Sequence, residues 1–202
     1  MGEEDSEDLM INLFSTPLKI VKNKSFESND LVDYCHKLSK KVDRGGEHWI
    51  NKDIYNTSTT YNICKDEKFK ELNDWIHKEV NVFVKEIGFS EVDKSKTMGW
   101  FNIYNKKDFQ EWHNHNFRLV SAIYYLKVDN TSAKTWFKNP LPENPNTPEF
   151  DSNNPYTWST YFVEPENNSL VIFKSNLDHC VETQQSDSTR ITLAYNFDLC
   201  GN

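Results

Sequence analysis

The hydrophobic positions of this chain change period once. Up to about residue 88 they recur at helical intervals, and from residue 97 onward they alternate. In "SNDLVDYCHKLSKKV", Leu31, Cys35, Leu38 and Val42 share one helical face behind the start signal Ser28-Asn29-Asp30. In "DEKFKELNDWIHKEVNVFVKEIG", Phe69, Leu72, Ile76, Val80, Phe83 and Ile87 make a longer stripe, with Asp66 and Glu67 suited to its N-terminus and Gly88 to its end. That stripe predicts a helix packed on a sheet. "MGWFNIYN", "RLVSAIYYLKV", "SLVIFKS" and "RITLAYNF" alternate and are rich in β-branched and aromatic residues, which predicts strands. "INLFSTPLKIVK" predicts an entering strand kept near a sheet edge by Pro17. Residues 129–160 hold five of the seven prolines, together with Trp136 and Trp158. A stretch of that length predicts a working loop, here a candidate for substrate capture. Trp136 and Trp158 either line a substrate groove or anchor the loop, whereas Trp75 and Trp100 are expected in the core.

Two helices ahead of an all-β second half predict an α+β, mainly β fold, a helix-backed jelly roll or small barrel. The domain boundaries follow. Residues 1–9, with five acidic groups, form a flexible tail; residues 10–202 form a single domain, with helical support over 28–88 and a β core over 97–198.

Composition narrows the partners. A net charge of −8 argues against a nucleic-acid ligand, which would need a basic face, and leaves small molecules and polypeptides. No apolar run reaches the length of a membrane span, and the acidic N-terminus does not read as a secretory signal. Cys35, Cys64, Cys180 and Cys200 are scattered without a CxxC spacing and predict reduced thiols, hence a cytoplasmic location. The oligomeric state stays open.

The candidate chemistry begins with "EWHNHNFRLVSAIYYL". His113 and His115 lie at i and i+2, on one face if the segment is extended. A third histidine, His179, stands in "SNLDHCVET". In "RITLAYNF", Ile191, Leu193, Tyr195 and Phe197 supply a core face, so Arg190, Thr192, Ala194 and Asn196 must face the other way. An arginine followed by a hydroxyl on an inner face suits an anionic ligand, because the guanidinium fork matches a carboxylate. Each motif alone has an ordinary explanation in surface histidines and solvated strand residues. His36, His48 and His77 lack such a context, and His36 and His77, on the helices, are expected to be exposed; Arg118 either contacts substrate or forms a salt bridge.

The order H-x-H, "YYL", a distant histidine and R-x-T resembles the Fe(II)- and 2-oxoglutarate-dependent oxygenases, and more narrowly the small oxygenases of marine bacteria and their phages, relatives of prolyl hydroxylases. The resemblance covers about residues 98–198. It implies a double-stranded β-helix, cupin-like, and an oxidative hydroxylase with Fe(II) as metal, 2-oxoglutarate as cosubstrate and ascorbate as a candidate reductant. A phage source would place it in the host cytoplasm. It implies His113 as proximal ligand and His179 as distal ligand. Arg190, Thr192 and Tyr125 would bind the remote carboxylate of 2-oxoglutarate, with Tyr104 as a further cosubstrate tyrosine. The substrate would be a C–H group of a peptidyl residue or small molecule. One position departs from the pattern: His115 stands where relatives carry Asp or Glu, leaving the metal site one unit more positive. Asp178 is expected on the opposite face, and Glu111, which would share the face, has no counterpart in the pattern. Two other readings stand beside this one: a three-histidine cupin dioxygenase that does not use 2-oxoglutarate, and a non-catalytic jelly roll.

Overall fold

The alternation in the second half of the chain is resolved by two layers that want different things from the same strands. A computed structural model of the protein describes residues 9–141 and 154–199; the acidic residues 1–8, the Pro- and Asn-rich 142–153 and residues 200–202, Cys200 among them, lie outside the described residues. In chain order the elements are β1 (Leu18–Lys22), α1 (Asn29–Leu38), β2 (Tyr55–Asn56), α2 (Lys70–Glu86), β3 (Met98–Tyr104), β4 (Gln110–His113), β5 (Val120–Lys127), β6 (Thr135–Lys138), β7 (Thr160–Val163), β8 (Ser169–Lys174), β9 (His179–Val181) and β10 (Arg190–Phe197). The strands form a six-stranded sheet, ordered β1-β8-β5-β10-β3-β2, and a four-stranded sheet, ordered β4-β9-β6-β7, all neighbours antiparallel. This is the double-stranded β-helix, mainly β, with the two helices backing the larger sheet.

The outer face of the large sheet carries Val120, Ala122, Tyr124 and Leu126 of β5, Leu170 and Ile172 of β8, and Ile191, Leu193, Tyr195 and Phe197 of β10. The α2 stripe of Leu72, Ile76, Val80, Phe83 and Val84, with α1 residues Leu31, Cys35 and Leu38, packs onto that face as one cluster. Each large apolar side chain so covered contributes roughly 1.5–3 kcal/mol. Helix α2 stops where expected: Gly88 adopts φ +87, its N–H reaches the Lys85 carbonyl, and the Phe89 N–H reaches that of Val84 at 2.8 Å. That pair of bonds needs a left-handed residue, which glycine takes without steric cost. The inner face of the large sheet looks toward the small one and holds Ile123, Tyr125, Val171 and Phe173, packed with Phe137, Val163 and Leu177. It also holds the polar residues discussed below.

Three expectations need correcting. His77 is buried, 8% exposed, its ring edge-on to Phe197 at 5.2 Å, because its position on α2 falls inside the packed face. The stretch 129–160 is not loop throughout: β6 lies within it and pairs with both β7 and β9. Trp75 is only half-buried, resting edge-on on Tyr124 at the rim of the core. Trp100 is buried as expected. No helix among the described residues is long and apolar enough to cross a membrane.

Candidate active site

Two short strands of the small sheet and one turn bring the histidines together. In the β4–β9 pairing His113 stands opposite His179, one step out of register with the Gln110–Val181 pair, so β4 carries a bulge between Gln110 and His113. Strand β4 ends at His113. His115 therefore lies beyond the strand, and its position comes from its backbone N–H donating to the Ser175 carbonyl at 2.8 Å rather than from strand alternation. The ring centroids are 4.2 Å apart for His113 and His179, 5.2 Å for His113 and His115, and 5.3 Å for His115 and His179. One nitrogen from each ring lies within 4.8 Å of the others, a grouping able to hold a metal ion.

Two of the rings have their tautomer set by the backbone. Nδ1 of His113 donates to the Glu111 carbonyl at 2.8 Å and Nδ1 of His179 to the Leu177 carbonyl at 2.9 Å. A carbonyl only accepts, so each neutral ring keeps Nε2 as a free lone pair, the form a metal takes. Among the described residues the His115 ring has no such hydrogen bond; it is held by Trp100, edge-on at 5.9 Å. Burial, then the neighbouring His113 and Arg118, pushes His115 down to about 4; burial lowers His113 and, more strongly, His179. All three imidazoles are neutral at neutral pH.

Strand β10 sets the other half of the site. Arg190 is 1% exposed, and its guanidinium carbon sits 4.6 Å over the Tyr104 ring and 5.4 Å from that of Tyr125. Its guanidinium donates from Nη2 to the Thr135 hydroxyl at 3.2 Å; among the described residues Nε and Nη1 are buried without a partner. A buried cation with two unfilled donors and no carboxylate beside it costs several kcal/mol unless an anion arrives. The Tyr125 hydroxyl also donates to Thr135, at 2.8 Å, and the Tyr104 hydroxyl to Gln110 at 3.0 Å. Burial raises both phenols, and the Arg190 charge pulls each part of the way back. Thr192 lies two residues along the same inner face and accepts from Asn102 at 3.3 Å.

Histidines, Arg190, Thr192 and Tyr104 line one narrow cavity of about 20 Å³ with Trp100, Asn102, Gln110 and Phe173, while Tyr125 stands behind Arg190. That space admits an ion or a water directly, whereas a larger ligand requires the lining side chains to swing back. Asp178 and Glu111 are not part of the histidine grouping: Asp178 accepts from the Asn114 amide at 2.6 Å, and Glu111 from the Ile50 N–H at 2.7 Å. Arg118 forms a salt bridge with Asp198. Trp49, which packs edge-on to His113 at 4.6 Å, escaped the sequence reading because it arrives from an irregular segment between α1 and β2. Thr135, Asn102 and Gln110 were missed as well, though Asn102 on an alternating strand two residues from Tyr104 was a usable signal.

A family described as "Putative 2OG-Fe(II) oxygenase" matches residues 98–196, the segment that carries every candidate site residue. Among solved structures the chain is similar to a Pseudomonas putida prolyl-4-hydroxylase, with a TM-score of 0.63 and 15% identity over 93% of this chain and 95% of that one. It is also similar to a prolyl hydroxylase from Trichoplax adhaerens in complex with a hypoxia inducible factor peptide fragment (0.60, 14%, 90% and 83%). A third likeness is to HygX from Streptomyces hygroscopicus with nickel, 2-oxoglutarate and hygromycin B bound (0.56, 13%, 91% and 83%). No curated protein sequence matches the chain. The structures, at such low identity, speak for the fold; the family match speaks for the chemistry. Over residues 98–196, the segment that carries the site, the chain matches the Fe(II)- and 2-oxoglutarate-dependent oxygenases, a family of non-haem iron enzymes.

Proposed function

We propose that the protein is a hydroxylase acting on a C–H bond of a peptidyl residue or small molecule, with iron held by His113, His115 and His179. The observation that carries this reading is the buried Arg190 guanidinium, with Nε and Nη1 unfilled, beside three neutral imidazoles. A dicarboxylate with one end at the histidines and the other at Arg190 removes the energetic penalty of that cation, by way of charge-assisted bonds to Nε and Nη1. Thr192 adds a hydroxyl on the same face. Tyr125 helps by holding Arg190 between its own ring and that of Tyr104, and its hydroxyl can turn from Thr135 to the ligand. When bound, ferrous iron with 2-oxoglutarate and dioxygen supplies the oxidising chemistry, releasing succinate and carbon dioxide and placing one oxygen atom in the substrate.

The chain's own residues do the rest. The backbone carbonyls of Glu111 and Leu177 orient two ligand rings, and Trp49 and Trp100 cover the outer sides of His113 and His115, which keeps bulk water from the metal. A groove of about 740 Å³, lined by Phe14, Leu141, Tyr156, Trp158 and Tyr161, also includes Phe137, whose ring stacks on His179 at 6.1 Å, and Leu177, whose carbonyl holds the His179 Nδ1. It is the candidate seat for the substrate, and its size suits a peptide segment or a medium-sized molecule. The solved relatives with a peptide fragment and with hygromycin B support both classes.

Anaerobically purified protein, loaded with Fe(II) and given 2-oxoglutarate and oxygen, is expected to release succinate, and His179→Ala to release none. Failure of the wild type to take up metal, or to consume 2-oxoglutarate once loaded, would overturn the proposal. His115→Asp is expected to hold iron at least as well as wild type, since it restores the carboxylate that relatives carry, and His115→Ala to hold it less well; unchanged iron retention in His115→Ala would remove His115 from the ligand set.

A further inference from the structure

The register of the large sheet places one row of polar side chains across its inner face. Asn56 of β2 stands opposite Asn102 of β3, Asn102 opposite Thr192 of β10, and Thr192 opposite Tyr125 of β5. The first three are buried, at 0%, 3% and 2% exposure, and they are linked in one direction. The Ser58 backbone N–H donates to Asn56 Oδ1 at 2.8 Å; Asn56 Nδ2 donates to Asn102 Oδ1 at 2.5 Å; Asn102 Nδ2 donates to the Thr192 hydroxyl at 3.3 Å. The direction is not arbitrary. A backbone N–H can only donate, so it fixes which end of the Asn56 amide faces it, and that choice fixes the Asn102 amide in turn. The chain ends on a hydroxyl whose oxygen has already been used as an acceptor.

We propose that Asn56 and Asn102 are positioning residues, whose polarised hydrogen bonds commit the Thr192 proton to the cavity as a donor for the cosubstrate carboxylate. A threonine hydroxyl is otherwise free to rotate and to present either a proton or a lone pair. A lone pair turned toward a carboxylate repels it. With Asn102 donating to one lone pair, the proton cannot point that way and is left, with the second lone pair, on the side of Arg190 and Tyr104, where the proposed carboxylate takes the proton. Asn56 never reaches the cavity, so it acts only through the row. The inference rests on that reading of Arg190 and Thr192, and it adds a determinant of cosubstrate affinity on a strand remote from the histidines.

The test is a double-mutant cycle on the Mn(II)-loaded, oxygen-free protein, with 2-oxoglutarate affinity measured by calorimetry and metal affinity measured beside it. Asn56→Asp, studied at mildly alkaline pH so that the carboxylate is ionised, can accept from Ser58 but not donate to Asn102. The Asn102 amide then turns to donate to Asp and offers its oxygen to Thr192, drawing the proton out of the cavity. N56D is expected to weaken 2-oxoglutarate binding about 3- to 10-fold, the equivalent of one neutral hydrogen bond, with metal affinity unchanged. In the Thr192→Val background the same substitution is expected to have no further effect, since the group it acts through is gone. Unchanged affinity in N56D, or an equal loss in both backgrounds, would overturn the proposal. Should N56D fail to fold, Asn102→Leu replaces it in the same cycle with the same expectations. Absence of 2-oxoglutarate binding by the wild type would overturn the cosubstrate reading itself, a result distinct from wild-type binding that N56D leaves untouched.

Discussion

Strand β10 has two faces built for opposite purposes. Ile191, Leu193, Tyr195 and Phe197 pack against the helices, with 1% exposure at most, and their hydrogen-bonding needs are nearly all met by the backbone ladder. Arg190, Thr192 and Asn196, on the alternate positions, are also buried, yet they carry a charge, a hydroxyl and an amide. The outer face contributes stability. The inner face costs stability, most of all at Arg190, and in the proposed function a ligand removes that cost. Burial by itself therefore does not distinguish core from site in this molecule; unfilled hydrogen-bonding capacity does.

The largest break in the comparison comes from the proposed metal ligands. His179→Ala removes a ring that is 4% exposed and sits within contact of both other histidines, and metal binding is expected to be lost outright by equilibrium dialysis while the fold, read by circular dichroism, persists. On the outer face, Leu193→Ala leaves a cavity beneath the helices and is expected to cost about 2–5 kcal/mol in denaturant unfolding, with no direct effect on ligand affinity once the protein is folded. Arg190→Met sharpens the contrast by changing the sign: removing a buried cation without an anion is expected to leave the ligand-free protein at least as stable as wild type. The same variant should bind 2-oxoglutarate about 10- to 100-fold more weakly, the equivalent of a lost charge-assisted bond. A large fall in its melting temperature would mean that Arg190 is structural.

A smaller effect follows from pH. His77 and His115 are both pushed down to about 4 by burial, from an ordinary 6.5. Between these values the unfolded chain binds more protons than the folded one, so stability rises with pH over that window. Metal-free protein is expected to keep its full histidine contribution above about pH 6.5 and to lose it progressively toward pH 4, read as a falling melting temperature in the presence of chelator. The smallest expected effect is on the surface: breaking the exposed Lys70–Asp74 pair should change stability by less than about 0.5 kcal/mol.

The sequence carried the two-faced strands well, because a period of two is unambiguous over runs as long as "RLVSAIYYLKV" and "RITLAYNF". It carried the histidine grouping through family order more than through geometry. His115 joins its partners from a turn beyond β4, and the bulge between Gln110 and His113 leaves no mark in the residue pattern. Strands β2, β6 and β9 are two to four residues long, too short for any periodicity, so the four-stranded sheet was largely invisible. Trp49 and Asn56 reach the site or its support from the irregular stretch between α1 and α2, where no local signal announces a long-range contact. His77 was misread because its polarity was weighed above its place on the α2 face.

The most direct test is a crystal structure of the protein with Mn(II) and N-oxalylglycine, an unreactive analogue of 2-oxoglutarate. The metal should sit on His113, His115 and His179, with the far carboxylate of the analogue on Nε and Nη1 of Arg190. A metal bound elsewhere, or an analogue whose carboxylate leaves Arg190 unpaired, would contradict the account.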